Sequence, residues 1–313
     1  MQTTAHVVGS IGETALVELH RIVPTGHARI LVKSESQNPT GSMKDRMALS
    51  VVDRAAASGR LPPGGTLVEY TGGSTGTSLA FVCAARGFAI TVVTSDAFSR
   101  EKRDHMRALG ARVVEIPSYG RGITKDLIEA MMREAAELGD APESFAADQF
   151  NNVDAIAGYA PLGEEIWRQT GGKVDAFVQS VGTGHCITGV AQFLRERNPD
   201  VRIVAVEPAE SPVLSGGTPG AHGIEGVGAG FLPPLWDGDL VDDIVSVSTA
   251  EAMDMSRRLA REEAIFGGTS SGANVFAALK MAARLGPDRA VVTLICDSGM
   301  KYLSTDLYSR EAR

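Results

Sequence analysis

Lys44 stands where an extended run, Arg29 to Lys33, passes through the turn-forming stretch Asn38-Pro39-Thr40-Gly41-Ser42-Met43 into a helix carrying Met47, Leu49, Val51 and Val52. The N-terminus of a helix carries unpaired N–H groups and partial positive charge, which disfavours a protonated ammonium nearby. Lys44 is therefore a candidate for a depressed pKa, the state in which a lysine condenses with an aldehyde. The alternative is a solvated lysine beside Asp45 and Arg46, and this stretch alone does not choose between them.

Four glycine-rich turns follow strand-like runs. Thr71-Gly72-Gly73-Ser74-Thr75-Gly76 closes the run Thr66 to Tyr70 and opens an apolar helix from about Thr77 to Arg86. Hydroxyls and bare amides at a helix start suit an anion, carboxylate or phosphate equally, or a plain structural turn. Ser180-Val181-Gly182-Thr183-Gly184-His185-Cys186-Ile187-Thr188-Gly189 closes Ala176 to Gln179. A dinucleotide fold is weighed here, because Glu207 ends the next strand where a ribose-binding acid would sit. Its third glycine would fall at position 187, which is Ile, so the turn is read as a pocket for one phosphate. Gly267-Gly268-Thr269-Ser270-Ser271-Gly272 opens the helix Ala273 to Arg284, and Cys296-Asp297-Ser298-Gly299 ends the strand Ala290 to Ile295. Ligands in open parallel sheets sit beyond the carboxyl ends of strands, so these turns are expected to line one cleft.

The elements that must position these turns alternate along the chain. Apolar runs at Arg29 to Lys33, Thr66 to Tyr70, Ala89 to Thr94, Ala111 to Ile116, Ala176 to Gln179, Arg202 to Val206 and Ala290 to Cys296 are separated by helical stretches. That pattern predicts an α/β fold with parallel sheets buried on both faces. Ser248 and Glu251 have capping-box spacing ahead of a helix, and Ser99 precedes another that Gly110 closes. With 313 residues, two domains are expected, breaking near Ala146 to Gly158.

A net charge of −8 and no dense Lys/Arg block argue against a nucleic-acid partner and for a small-molecule one. Three scattered cysteines suggest neither a disulfide framework nor a zinc site, so no metal is expected and the compartment is read as cytoplasmic. No signal-like or membrane-length apolar segment is seen.

A reactive lysine, a single-phosphate cradle, a carboxylate-sized anion site and a hydroxyl at a strand end together describe a pyridoxal 5'-phosphate pocket. On those residues the chain resembles the cysteine synthase (O-acetylserine sulfhydrylase) family, fold type II of the pyridoxal phosphate enzymes. The resemblance runs from Ile11-Gly12-Glu13-Thr14 to Tyr302-Leu303-Ser304-Thr305. Its most specific pieces are Ser42-Met43-Lys44-Asp45-Arg46, Val206-Glu207-Pro208, Gly226-Val227-Gly228-Ala229-Gly230-Phe231, Ser270-Ser271-Gly272-Ala273 and Asp297-Ser298-Gly299.

The resemblance implies two domains, each a mostly parallel twisted sheet flanked by helices, with the active site in the cleft between them. Residues 1–45 and 154–313 would form the larger, cofactor-anchoring domain, and 46–153 a smaller mobile domain bearing the substrate loop. Lys44 would hold the cofactor and remove the Cα proton. Gly182, Thr183, Gly184, His185, Cys186, Thr188, Ser270 and Ser74 would bind the cofactor and Ser298 its pyridine nitrogen, with Ser74 shorter than the asparagine that bonds the phenolic oxygen in the family. Thr71, Gly72, Gly73, Ser74, Thr75, Gln149 and Gly228 would bind the substrate. A serine at 298 suits elimination at Cβ, since a hydroxyl does not hold a proton on the ring nitrogen as a carboxylate would.

The implied reaction is β-replacement on an O-activated L-serine through an α-aminoacrylate, most simply O-acetylserine with sulfide. Alternatives are β-elimination of the cysteine desulfhydrase type, replacement by another nucleophile, and a catalytically silent regulatory partner. A homodimer is implied, and the C-terminal tail of a serine acetyltransferase is a possible partner. The family's carboxylate loop usually has serine and asparagine where this chain has Gly72 and Ser74. Its phosphate loop tends to have Gly and Thr where this chain has His185 and Cys186, and His185 is read as a packing residue. The stretch Ser215 to Asp243 contains no Lys or Arg, so acetate is expected over phosphate as leaving group, unless Arg121 or Lys125 reaches the site.

Overall fold

A computed structural model describes residues 6–120, 122 and 124–309. Along the chain the strands are β1 (Leu16–Glu18), β2 (Arg29–Ser34), β3 (Thr66–Tyr70), β4 (Ala89–Ser95), β5 (Arg112–Ile116), β6 (Ser144–Ala146), β7 (Ala176–Ser180), β8 (Arg202–Pro208), β9 (Asp243–Val247) and β10 (Ala290–Ile295). The α-helices are α1 (Lys44–Ala57), α2 (Ser74–Arg86), α3 (Arg100–Ala108), α4 (Lys125–Gly139), α5 (Asp154–Ala157), α6 (Ala160–Gln169), α7 (His185–Arg197), α8 (Thr249–Glu262), α9 (Thr269–Leu285) and α10 (Asp306–Ser309).

They build two α/β units. One comprises Asn38–Gly158 with the segment up to Ile11, the other Gly12–Gln37 with the segment from Tyr159 onward, so Lys44 falls in the first. The first unit holds a sheet of order β5-β4-β3-β6, parallel throughout. The second holds β1-β2-β10-β7-β8-β9, parallel except where β1 runs against β2. The expected class, two domains each with a mostly parallel twisted sheet flanked by helices, is what the chain adopts.

Burial explains which strands were visible in the sequence. β7 and β10 are buried at every position, as inner strands covered on both faces must be. β1 and β6 have only three residues, and β9 starts with a half-buried acid and exposes Ser246, so none of the three presents a continuous apolar run. The larger core gathers Ile30, Val32, Val178, Val204 and Val291 from the sheet against Val275, Ala278 and Met281 of α9. Each fully buried aliphatic side chain contributes about 1.5–3 kcal/mol. In the smaller unit Val68, Tyr70 and Val93 pack on Leu127, Met131 and Ala135 of α4.

Local signals set the helix ends. Ser248 and Glu251 make both bonds of a capping box at α8, and Thr124 accepts from the Leu127 amide at α4. Gly87, at φ +77°, ends α2 in the left-handed conformation that only glycine adopts freely. One ion pair is fully internal to the second unit: Lys33 Nζ lies 2.6 Å from Glu165 Oε2, with the lysine side chain 0% and the glutamate 5% exposed. The same ammonium donates to the Thr14 carbonyl at 2.5 Å.

Candidate functional site

The residues singled out in the sequence fall into two groups, one on each unit. In the first, Lys44 opens α1 and is half-buried, its own N–H donating to Ser42 Oγ at 3.2 Å. Asp45 is fully buried and accepts from the Thr40 amide at 2.8 Å and the Thr40 hydroxyl at 2.5 Å. That hydroxyl also lies 3.2 Å from Ser78 Oγ on α2, so the turn ahead of Lys44 is tied to the helix that follows the carboxylate-loop candidate.

The helix after that loop begins at Ser74, one turn earlier than the apolar pattern predicts, because its first turn is polar. Ser74 and Thr75 thereby carry first-turn amides, which have no intrahelical acceptor. Gly73 N donates back to Thr71 Oγ1 at 3.0 Å, and Thr75 Oγ1 donates to Gln149 Oε1 at 3.0 Å. Gln149 is anchored in turn through Nε2 to the Tyr70 carbonyl at 2.8 Å. The structure thus gathers Thr71, Gly72, Gly73, Ser74, Thr75 and Gln149 at the carboxyl end of β3.

Two side chains that the sequence did not flag wall this loop. A Cβ added at Gly72 would lie 2.5 Å from Phe98 Cε1, and one at Gly73 would lie 2.2 Å from Lys102 Cδ. Gly72 is therefore favoured by close approach and Gly73 by its φ of +151°, with Lys102 only 5% exposed.

In the second unit the loop after β7 leads into α7, whose first residues are His185 and Cys186. Gly182 admits no side chain, since a Cβ there would lie 2.4 Å from the Gly226 carbonyl, and Gly184 has φ +87°. The amides of Gly182, Thr183 and Gly184 find no acceptor among the described residues. His185 is buried with its Nδ1 3.0 Å from Thr183 Oγ1, so its ring orients that hydroxyl as well as packing. Thr188 lies buried one turn on, its amide bonded to the Gly184 carbonyl. Gly228, at φ +60°, is fixed by its own amide on the Val181 carbonyl, which places it against the same loop. Glu207 is committed elsewhere: it accepts from Leu214 N at 2.8 Å, Ser215 N at 3.3 Å and the hydroxyls of Ser215 and Ser246, which removes the motive for a ribose-binding role.

Ser298 follows β10, where its Oγ accepts from the Met300 amide at 3.3 Å. The adjoining carboxylate is held on one side: Asp297 Oδ2 accepts from Tyr302 Oη at 2.8 Å, and Oδ1 lies 2.4 Å from where a Cβ on Gly268 would be. Burial first, and Asp297 second, hold the Tyr302 phenol well above its ordinary pKa, so it remains a donor. Ser270 is buried in the first turn of α9, which starts at Thr269 rather than Ala273.

A residue that the sequence left unremarked binds these turns together. Asn274, fully buried on α9, accepts from Ser180 N at 2.7 Å and donates to Gln179 Oε1 at 3.1 Å and the Leu294 carbonyl at 3.0 Å. It locks the end of β7 to the end of β10. An amide inside an otherwise small and apolar helical run, Ala273-Asn274-Val275, was the signal.

The second unit therefore offers unshared amides behind two obligatory glycines, at the start of a helix, with a hydroxyl at a neighbouring strand end. A phosphate monoester on a heteroaromatic ring fits that donor set. Among the described residues no cluster of His, Cys, Asp or Glu could hold a metal, and no helix is long and apolar enough to cross a membrane.

Fold and donor set define a pyridoxal phosphate enzyme of fold type II. The family described as "Pyridoxal-phosphate dependent enzyme" matches residues 7–297, and the chain belongs to it. It is 42% identical over 301 residues to a cysteine synthase of Staphylococcus aureus, covering 96% of this chain and 95% of that one. Among solved structures it resembles O-ureido-L-serine synthase, with a TM-score of 0.91 and 38% identity over 100% of this chain and 98% of that one. A cysteine synthase from Entamoeba histolytica gives a TM-score of 0.92 and 36% identity over 100% and 93%. The cofactor is pyridoxal 5'-phosphate, and the chemistry is the β-replacement and β-elimination type of the cysteine synthase-like enzymes.

Proposed function

We propose that this enzyme replaces the β-substituent of an O-activated L-serine, with O-acetylserine as donor and with nucleophiles beyond sulfide among its acceptors. When bound, pyridoxal phosphate supplies the electron sink for negative charge at the amino acid's Cα. Lys44 anchors the cofactor and moves the Cα proton. The amides of Gly182, Thr183 and Gly184, together with His185, Cys186, Thr188 and Ser270, hold the phosphate. Thr71 to Thr75, with Gln149 and Gly228, orient the substrate.

The observation that carries the reading is the identity of the group after β10. Ser298 presents a hydroxyl, while Asp297 is turned to Tyr302. A hydroxyl beside the ring nitrogen would not hold a full proton there, and the weaker sink would favour loss of a β-substituent over transamination. The wider choice of nucleophile is supported by Gly72 and Ser74, which depart from the family's loop, and by the similarity to O-ureido-L-serine synthase. Sulfide with O-acetylserine, as in the cysteine synthases, is the second reading, supported by the S. aureus relative. A cytoplasmic homodimer in amino-acid biosynthesis, with residues 46–153 as the domain bearing the substrate loop, completes the proposal.

The test is a nucleophile screen on the holoenzyme. O-Acetylserine is added first, the cofactor absorbance is followed, and sulfide, homocysteine and hydroxyurea are then supplied separately. The reading requires a saturable spectral change with the donor, reversed by at least one nucleophile other than sulfide. Reversal by sulfide alone selects the second reading, and no response to the donor rejects both. Borohydride reduction followed by peptide mapping must mark Lys44.

A further inference from the structure

Glu69 lies in β3 with 1% of its surface exposed, and both of its carboxylate oxygens are spent on backbone amides. Oε1 accepts from Tyr70 N at 2.8 Å and Oε2 from Gln149 N at 3.1 Å. The same two residues are joined a second time, by Gln149 Nε2 on the Tyr70 carbonyl at 2.8 Å. Gln149 then reaches Thr75 Oγ1 at 3.0 Å. A chain of bonds runs from Glu69 through Gln149 to the first turn of α2.

A buried carboxylate is a costly way to satisfy two amides, and a site serving stability alone would be filled as well by a neutral group. Gln149 follows Asp148, a non-glycine residue at φ +45°, so the turn that presents it needs an external hold. We propose that Glu69 is a positioning residue for the amino-acid substrate: it fixes Gln149, and through it Thr75, in the geometry that receives the substrate carboxylate. This rests on the assignment of Thr71 to Thr75 and Gln149 as substrate ligands.

The device depends on charge. Burial first, with a contribution from Asp148, pushes the Glu69 carboxyl up to about 8, against the lowering effect of its two amide bonds. Besides Asp148, α3 brings an ionisable group near this network: Lys102, 5% exposed, lies over Gly73. β4 and β6 contribute none, and α4 packs on the opposite face, against Val68 and Tyr70. On α2 the Cys83 thiol is itself pushed up to about 12 by burial and Arg86 is bonded to Asp53, while the Tyr70 phenol is raised and neutral. Above pH 8 the ionised carboxylate accepts fully from both amides; below it, the protonated group resembles a glutamine.

Spectral titration of holo wild type, E69Q, Q149A and the double variant with O-acetylserine at pH 6.5 and pH 9 tests this. E69Q is expected to weaken apparent binding about tenfold at pH 9 and less than about twofold at pH 6.5, with cofactor absorbance unchanged. Q149A should weaken binding at both pH values, and E69Q should add little to it. Equal affinities for E69Q and wild type at pH 9, or full additivity in the double variant, overturn the proposal. Should E69Q fail to fold, E69D, which keeps the charge but is too short for both amides, must show the same loss. If wild type itself gives no saturable response, the substrate assignment fails and this proposal falls with it. Loss of cofactor from E69Q would instead mark a structural role and overturn it.

Discussion

Phe98 occupies the space that a side chain at Gly72 would need: Cε1 of the ring lies 2.5 Å from the position of an added Cβ. The family's usual serine at this place is therefore incompatible with the ring as it stands, and residues 72 and 98 form one unit of choice. Phe98 is partly buried against the core of this unit, so a contact below 3.0 Å is relieved only if the ring itself moves.

From that relationship, G72S alone should lower kcat/KM for the amino-acid donor by about tenfold or more, whereas G72S with F98A should recover most of it. Steady-state kinetics of the two single variants and the double variant check this. Additive losses would show that the two residues act independently.

S298D should retain the cofactor and lower β-replacement by about tenfold, because a carboxylate there would hold a proton on the ring nitrogen and redistribute the carbanion's charge. Absorbance of the purified variant and its turnover with O-acetylserine are the measurements. Unchanged kinetics would show that Ser298 does not touch the ring.

K33M should destabilise the fold by roughly 3–5 kcal/mol, the cost of leaving a buried carboxylate without its cation, here Glu165. Chemical denaturation measures it. K33M with E165M should be closer to wild type, since both buried charges leave together and the Thr14 carbonyl loses only the lysine's bond.

The elevated Glu69 carboxyl makes stability fall with rising pH. Its ordinary value is 4.5 and the folded value about 8, so between these the folded state binds the extra proton. Stability contributed by that proton is present below about 4.5, declines through the interval and is gone above 8, a change on the order of 5 kcal/mol. E69Q should flatten the interval and melt no lower than wild type at pH 9. A steeper or unchanged profile in thermal melts would contradict the raised value.

O-Acetylserine should exceed O-phosphoserine in kcat/KM at matched ionic strength, because Ser215 to Asp243 offers no cation for a phosphate leaving group. Lys102, whose stem lies over Gly73, is a cation the sequence did not point to. Arg121 lies outside the described residues, as does the side chain of Lys125. A preference for the phosphate donor that K102M removes would transfer the leaving-group site to α3.

The fold was legible wherever a strand was buried on both faces, since β7 and β10 write their burial directly as apolar runs. It was illegible at β1, β6 and β9, whose pairing partners, not their composition, make them strands. The site was legible as turns, because Gly182 and Gly184 owe their type to close approach and backbone conformation. What supports those turns was not. Glu69, Phe98 and Asn274 look like ordinary strand, loop and helix residues, and their roles arise from neighbours as remote in sequence as Gln149, Gly72 and Ser180. The helix starts at Ser74 and Thr269 were missed for a related reason, since polar first turns interrupt the apolar period.

β2 pairs on one side with β1, its immediate neighbour in the chain, and on the other with β10, in a register that matches Arg29 with Ala290. During synthesis, then, a strand bearing Ile30, Leu31 and Val32 is complete long before the partner that covers its second edge exists. At about 5–20 residues per second the wait is roughly 15–50 s, during which that edge can pair with a neighbouring nascent chain. Asn38 to Gly158 has its own strands in hand and can fold within that interval. Yield from the ribosome should therefore depend on what shields β2 in the meantime, and slowing translation ahead of β10 should cost soluble protein.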